Sequence, residues 1–229
     1  MFMKNRIIRM DTGLLLPKAR SALSQACGFR DDSKKHRRMA LCADEVLQKG
    51  IGGLRPLAVV SAYDNNVLAD ESVILDGMTF RCTAFARIIP IHVKKIYAFI
   101  LTVGEVLAPD GDIMDSLYAD IWGTAFTDAA MDALSEVLAN DAGDGCHMAA
   151  FGPGFYGMDI SYIPLLFDIL DGSAIDVRVR RQSCCMIPLK SCAGFMIAAA
   201  EASTLPPADC MSCSGNRDGC RLCKKRRLQ

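Results

Sequence analysis

The sequence has no long apolar run, no excess of one charge and few aromatic rings. Its longest apolar stretches, such as residues 96–103, fall well short of the ~18 residues that a membrane-crossing helix needs. Lysine plus arginine number 26 and aspartate plus glutamate number 26, so nothing draws the whole chain toward nucleic acid or an anionic membrane. Aromatic residues make up 7% of it and no stacking motif accompanies the basic runs, so nucleic acid is not an expected partner. No repeat on the order of 20–50 residues is visible, which argues against a solenoid or propeller. The opening MFMKNRIIRM is too short and too charged for the apolar segment of a secretion signal, and a cytoplasmic location is expected.

What is present is a chain of 229 residues, 51% hydrophobic, with 11 cysteines. A chain of this length buries a sizeable core without disulfides. Without export, its cysteines are expected to be reduced thiols or metal ligands.

Helical spacing predicts a helix over 17–26, with Ala19, Leu23, Ala26 and Cys27 on one face, Pro17 in the first turn and Gly28 at the stop. A second helix is predicted over 34–49, with Met39, Cys42, Ala43 and Val46 as its stripe. Cys27, Cys42 and Cys82 sit in apolar patterns and are expected to be buried. Residues 57–63 read as a strand, and SVILDGMTFRC as a hairpin with Asp76-Gly77 at its tip. KKIYAFILTVG, residues 94–104, reads as a central strand buried on both faces. A long helix is predicted over 112–140, carrying Ile113, Leu117, Ile121, Trp122, Phe126, Ala129 and Leu134. Residues 175–179 alternate like a strand, and SCCMIPLKSCAGFMIAAA resembles another, broken at Pro188. If Cys184 and Cys185 lie on that strand, they point to opposite faces and do not share a metal.

Helices and strands alternate irregularly, as in an α+β domain with a mixed or antiparallel twisted sheet and packed helices. The expected organisation is one domain over 1–205, its N-terminal helical part ending near 55, and a short Cys-rich tail over 206–229 opened by Pro206-Pro207. In that tail, CMSCSGNRDGCRLC holds Cys210, Cys213, Cys220 and Cys223 as two C-x2-C pairs. Two close pairs joined by a glycine-containing turn suit four thiolates around one centre, either tetrahedral zinc or an iron–sulfur cluster.

GPGFYG, residues 152–157, precedes a helical pattern. Such a turn lets backbone approach a ligand closely, and a helix starting near 159 or 161 would aim free N–H groups at it. It also suits a plain strand-to-helix bend. The spacing is not that of a dinucleotide fingerprint.

Pro153-Gly154-Phe155, a helix ending Leu170-Asp171, and then Met186, Pro188, Lys190 and Ser191 follow a P-G-Y, L-D, M-x-P-x-K-S order. With LTVGEVL upstream and a Cys-rich, basic end, this order resembles the reactivation domain of cobalamin-dependent methionine synthase, and more closely the stand-alone proteins that carry that domain. The resemblance implies binding of S-adenosylmethionine by Pro153, Gly154, Phe155 and Tyr156, with Met186, Pro188, Lys190 and Ser191 forming the far wall. It implies a corrinoid protein as partner, cobalamin held only by that partner, an electron donor protein and a possible redox relay at the tail. The task is to present a methyl group during reductive reactivation, by docking and positioning. No side chain need act as general acid or base, so no catalytic residue is expected.

Two positions depart from the family pattern. Where the synthase has an arginine on the ligand carboxylate, this chain has Ala150. The tyrosine position of the turn holds Phe155, with Tyr156 beside it. The alternative is a docking protein of the same fold that has lost the ligand. With no corrinoid-binding D-x-H-x-x-G segment, the chain is not a complete synthase.

Overall fold

The computed structural model describes residues 4–30, 32–88, 90–105 and 112–201. The four tail cysteines, and the proline pair ahead of them, lie outside the described residues. In chain order the elements are β1 (Arg6–Arg9), α1 (Thr12–Cys27), α2 (Lys34–Gly50), β2 (Leu54–Tyr63), β3 (Leu68–Ala69), β4 (Ser72–Leu75) and β5 (Met78–Arg81). There follow β6 (Val93–Gly104), α3 (Ile113–Ala142), β7 (His147–Phe151), α4 (Tyr162–Ile169), β8 (Arg178–Arg180), β9 (Cys185–Ile187) and β10 (Ser191–Ala199).

The main sheet has five strands in the order β1-β2-β6-β10-β7, and every ladder in it is antiparallel. β6 takes the centre because its run is apolar on both sides of the pleat. Tyr97, Phe99, Leu101 and Val103 face a core shared with α1, α2 and α3. Ile96, Ala98 and Ile100 face a second core closed by the β3–β4–β5 sheet, α4 and the segment after it. The α+β reading holds.

Local chemistry explains the boundaries. Asp11 caps α1 by accepting hydrogen bonds from Gly13 N and Leu14 N, and Asp112 does the same for Met114 N and Asp115 N of α3. Gly28 ends α1 in the left-handed region at φ 64°. Asp76 and Gly77, at φ 47° and 80°, make the hairpin tip between β4 and β5.

Several expectations need correction. Helix α1 starts at Thr12, five residues before Pro17, because Asp11 supplies the cap; Ala26 is exposed and Leu15 is buried instead. Cys42 is exposed and Cys27 only partly covered, while Cys82 is buried as expected. On α2 the buried line runs through Ala43, Val46, Leu47 and Gly50, one residue around the helix from Cys42. Ile113 is 85% and Leu117 49% exposed, since α3 buries side chains only from Tyr118 onward. The strand expected at 175–179 is shorter: Gly172–Ile175 form a 3-10 turn capped by Asp171, Asp176 takes φ 59°, and β8 starts at Arg178. Cys184 precedes β9 at φ 55°, so strand alternation does not govern it.

At the end of α3, Tyr97 Oη lies 3.0 Å from Asp141 Oδ2, and Arg6 Nη1 donates to Asp141 Oδ1 at 3.0 Å. Burial is the larger cause pushing the Tyr97 phenol up, and the Asp141 carboxylate adds to it, so the phenol stays a donor across the physiological range. This network ties β1, β6 and α3 together. Asp141→Ala leaves a buried hydroxyl with only a 3.3 Å contact to Leu138 O. The expected loss is about 1–3 kcal/mol, read as a lower denaturant midpoint with unchanged slope.

Candidate functional site

The turn grows directly out of edge strand β7. β7 pairs with β10, Phe151 opposite Phe195, and a Cβ on Gly194 would sit 2.1 Å from Phe151 O. This close approach is what Gly194 permits. Beyond β7, Phe155 N donates to Gly152 O at 3.0 Å, Met158 N to Phe155 O at 2.9 Å, and Gly154 N to Met158 O at 2.9 Å. Gly154, Tyr156 and Gly157 take φ 93°, 53° and 75°. Three successive carbonyl-closed bends hold the loop against the body, and Thr83 Oγ1 anchors it by donating to Tyr156 O at 2.8 Å.

Side chains of the turn divide into anchors and free surfaces. Pro153 and Met158 are buried, and the Tyr156 ring stands edge-on to Phe151 at 5.7 Å. Phe155 is 52% exposed, and so is Ile160. Helix α4 starts at Tyr162, a little later than expected, and the Ser161 side chain makes no cap. Asp159 Oδ1 accepts from Ser161 N at 2.8 Å.

Met186, Pro188, Lys190 and Ser191 lie along β9 and the start of β10, joined through a cis Ile187–Pro188 bond. Met186 and Tyr156 both pack on the second core, the one away from α3. Ser191 Oγ donates to Pro188 O at 2.7 Å and lies 2.9 Å from Thr102 Oγ1. Lys190 is committed elsewhere. Its stem crosses Gly123 of α3, where a Cβ would come within 2.8 Å of it, and its ammonium meets Asp120 Oδ1 at 2.7 Å and Thr124 Oγ1 at 2.9 Å. Ala150 points to the first core, beneath α3, opposite in face to Met186 and Tyr156.

Strand register adds residues that sequence reasoning missed. Arg9 of β1 stands opposite Leu57 of β2, Leu57 opposite Thr102 of β6, and Thr102 opposite Ser191 of β10. These four make one cross-strand row, pointing to one face. At its β1 end, a concavity of about 500 Å³ is lined by Arg9, Thr12, Arg55, Pro56, Leu57 and Asp176, among others. No sequence motif marks it, because it is assembled from three separate stretches of chain. The one local signal is the pair of arginines that bound β1, Arg6 and Arg9.

Cys192, one step along β10, has its sulfur 3.4 Å from Met131 Sδ. Burial first, then the Asp128 charge, pushes its thiol up to about 12, so it stays protonated and is a packing group. Among the described residues no group of three or more metal-ligating side chains comes together, and no helix is long and apolar enough to cross a membrane.

No protein-family model matches the chain, and no curated protein does. Among solved structures, it is similar to the crystal structure of the MetH reactivation domain bound to AdoHcy. The TM-score is 0.60 at 12% identity, over 86% of this chain and 79% of that one. The chain has the fold of the MetH reactivation domain.

Proposed function

We propose that this protein is an accessory factor for the reductive reactivation of a corrinoid protein, presenting S-adenosylmethionine at the strand ends beside the 152–157 turn. The observation that carries the reading is the shared fold with a reactivation domain solved with AdoHcy, over 86% of the chain. In support, Phe155 offers an exposed ring and Gly154 a side of the turn on which a Cβ would meet only Ile160 Cδ1, at 3.5 Å. Pro153 and Tyr156 hold the turn, and in this reading Met186, Pro188 and Ser191, on β9 and the start of β10, form the far wall. Lys190 serves as a strut to α3.

The chemistry asked of the chain is positioning. An electron donor reduces cobalt on the partner by one electron, from Co(II) to Co(I). The Co(I) centre then takes the sulfonium methyl group, leaving S-adenosylhomocysteine. Holding the donor in line makes a two-body encounter local, and no proton need move. Zinc or an iron–sulfur cluster at Cys210, Cys213, Cys220 and Cys223 belongs to this reading, as does a cytoplasmic location that keeps those thiols reduced.

Calorimetric titration of anaerobically prepared protein with S-adenosylmethionine is expected to show saturable, one-to-one binding. Absence of heat into the millimolar range would move the protein to the second reading, a docking factor of the same fold without ligand. Ala150 and the engagement of Lys190 with α3 favour that second reading.

A further inference from the structure

We propose that the concavity at the β1–β2 corner binds the α-amino-acid end of a ligand, with Arg9 and Arg55 on its carboxylate and Asp176 on its ammonium. Arg9 and Arg55 are exposed and line this one cavity from adjacent strands. Among the described residues neither has a carboxylate within ion-pair distance, and Asp176 has no basic partner. Opposite charges that share a cavity yet stay apart are free to engage a zwitterion placed between them. The other nearby carboxylate, Asp11, is already held by Gly13 N and Leu14 N. Buried Pro56 and Leu54 supply an apolar floor, and about 500 Å³ lies within the range of small-molecule sites. A polyphosphate fits less well, because Asp176 would repel it.

Strand register relates this cavity to the start of β10. Arg9 shares its cross-strand row with Ser191, three strand spacings away, a reach of ~14 Å at ~4.8 Å per strand. Position 150 faces α3 and Lys190 is engaged there, so neither offers a cation on this face. The β1–β2 arginines are the cations that this cavity offers a carboxylate. Identifying the ligand as S-adenosylmethionine rests on the function proposed above; the zwitterion site does not.

The test is calorimetric titration with S-adenosylhomocysteine, L-methionine, adenosine and 4-(methylthio)butanoate, the last being methionine's carbon–sulfur frame without the ammonium. Wild type is compared with an Arg9→Gln/Arg55→Gln double variant and with Asp176→Asn, each checked for unchanged thermal melting. Losing charged hydrogen bonds to the carboxylate is expected to weaken S-adenosylhomocysteine and methionine about 10- to 100-fold in the double variant, with adenosine unaffected. Asp176→Asn is expected to weaken methionine and spare 4-(methylthio)butanoate. If methionine binds through the arginines and S-adenosylhomocysteine does not bind, the cavity stands and the nucleoside reading fails. Equal affinity of wild type and double variant for S-adenosylhomocysteine and methionine, or no binding of either, overturns the assignment.

Discussion

Replacing Trp122 by alanine is expected to cost about 3–5 kcal/mol of stability, the range for truncating a large buried aromatic. Trp122 has no exposed surface. Its indole Nε1 donates to Ala43 O at 2.8 Å, and its ring packs on Phe126 at 5.8 Å between centroids. It is the chain's single tryptophan, and it joins α3 to α2. Alanine removes both the packing and the donor, so the cavity opens at the seam between those helices. Trp122→Phe keeps most of the apolar area and loses the hydrogen bond, for an expected cost of about 1–2 kcal/mol. Urea unfolding followed by circular dichroism orders the three proteins without relying on the indole's own fluorescence. An alanine variant within about 1 kcal/mol of wild type would show that α2 is not held through this residue.

The strongly periodic elements were legible before the structure. β6 carries twelve residues with an apolar core, and a strand buried on both faces has no other place than the centre. Trp122, Phe126, Ala129 and Leu134 all fall in the core at helical spacing. Boundaries were less legible where a side-chain cap or a sheet edge decides them. Asp11 starts α1 early, and the first turns of α3 lie outside the core, so Ile113 and Leu117 face water. β1 was missed altogether: four residues flanked by arginines give too short an alternation, and only pairing with β2 makes a strand of them. The candidate site divides in the same way. The turn and the β9–β10 segment are contiguous and could be quoted from the sequence. The Arg9–Leu57–Thr102–Ser191 row depends on register among four strands, which no local pattern encodes. That Lys190 braces α3 likewise depends on Gly123, a residue distant in the chain and without a motif.

Gly154→Val tests whether the turn is a ligand site or only a bend, and it is expected to abolish S-adenosylmethionine binding while leaving the fold intact. Gly154 sits at φ 93°, outside what a β-branched residue adopts without strain. Space is not the obstacle, because a Cβ there meets only Ile160 Cδ1 at 3.5 Å. The cost is therefore conformational, about 1–2 kcal/mol, and it is relieved by rotating the backbone that presents Phe155. Gly77→Val is the matched control. Its φ is 80°, a Cβ would meet nothing within 4 Å, and it lies at the β4–β5 tip. Both variants are expected to lose similar stability, and only Gly154→Val to lose ligand. Gly157→Val is a less clean probe, since its Cβ would come within 3.0 Å of Thr83 Oγ1 and press on the bond that anchors the loop. Retained affinity in the Gly154 variant, with the Gly77 control matching it in stability, would make GPGFYG a strand-to-helix bend and nothing more. Loss of binding confined to Gly154 would place the ligand against the turn, because the two substitutions carry the same backbone penalty and differ only in where they carry it.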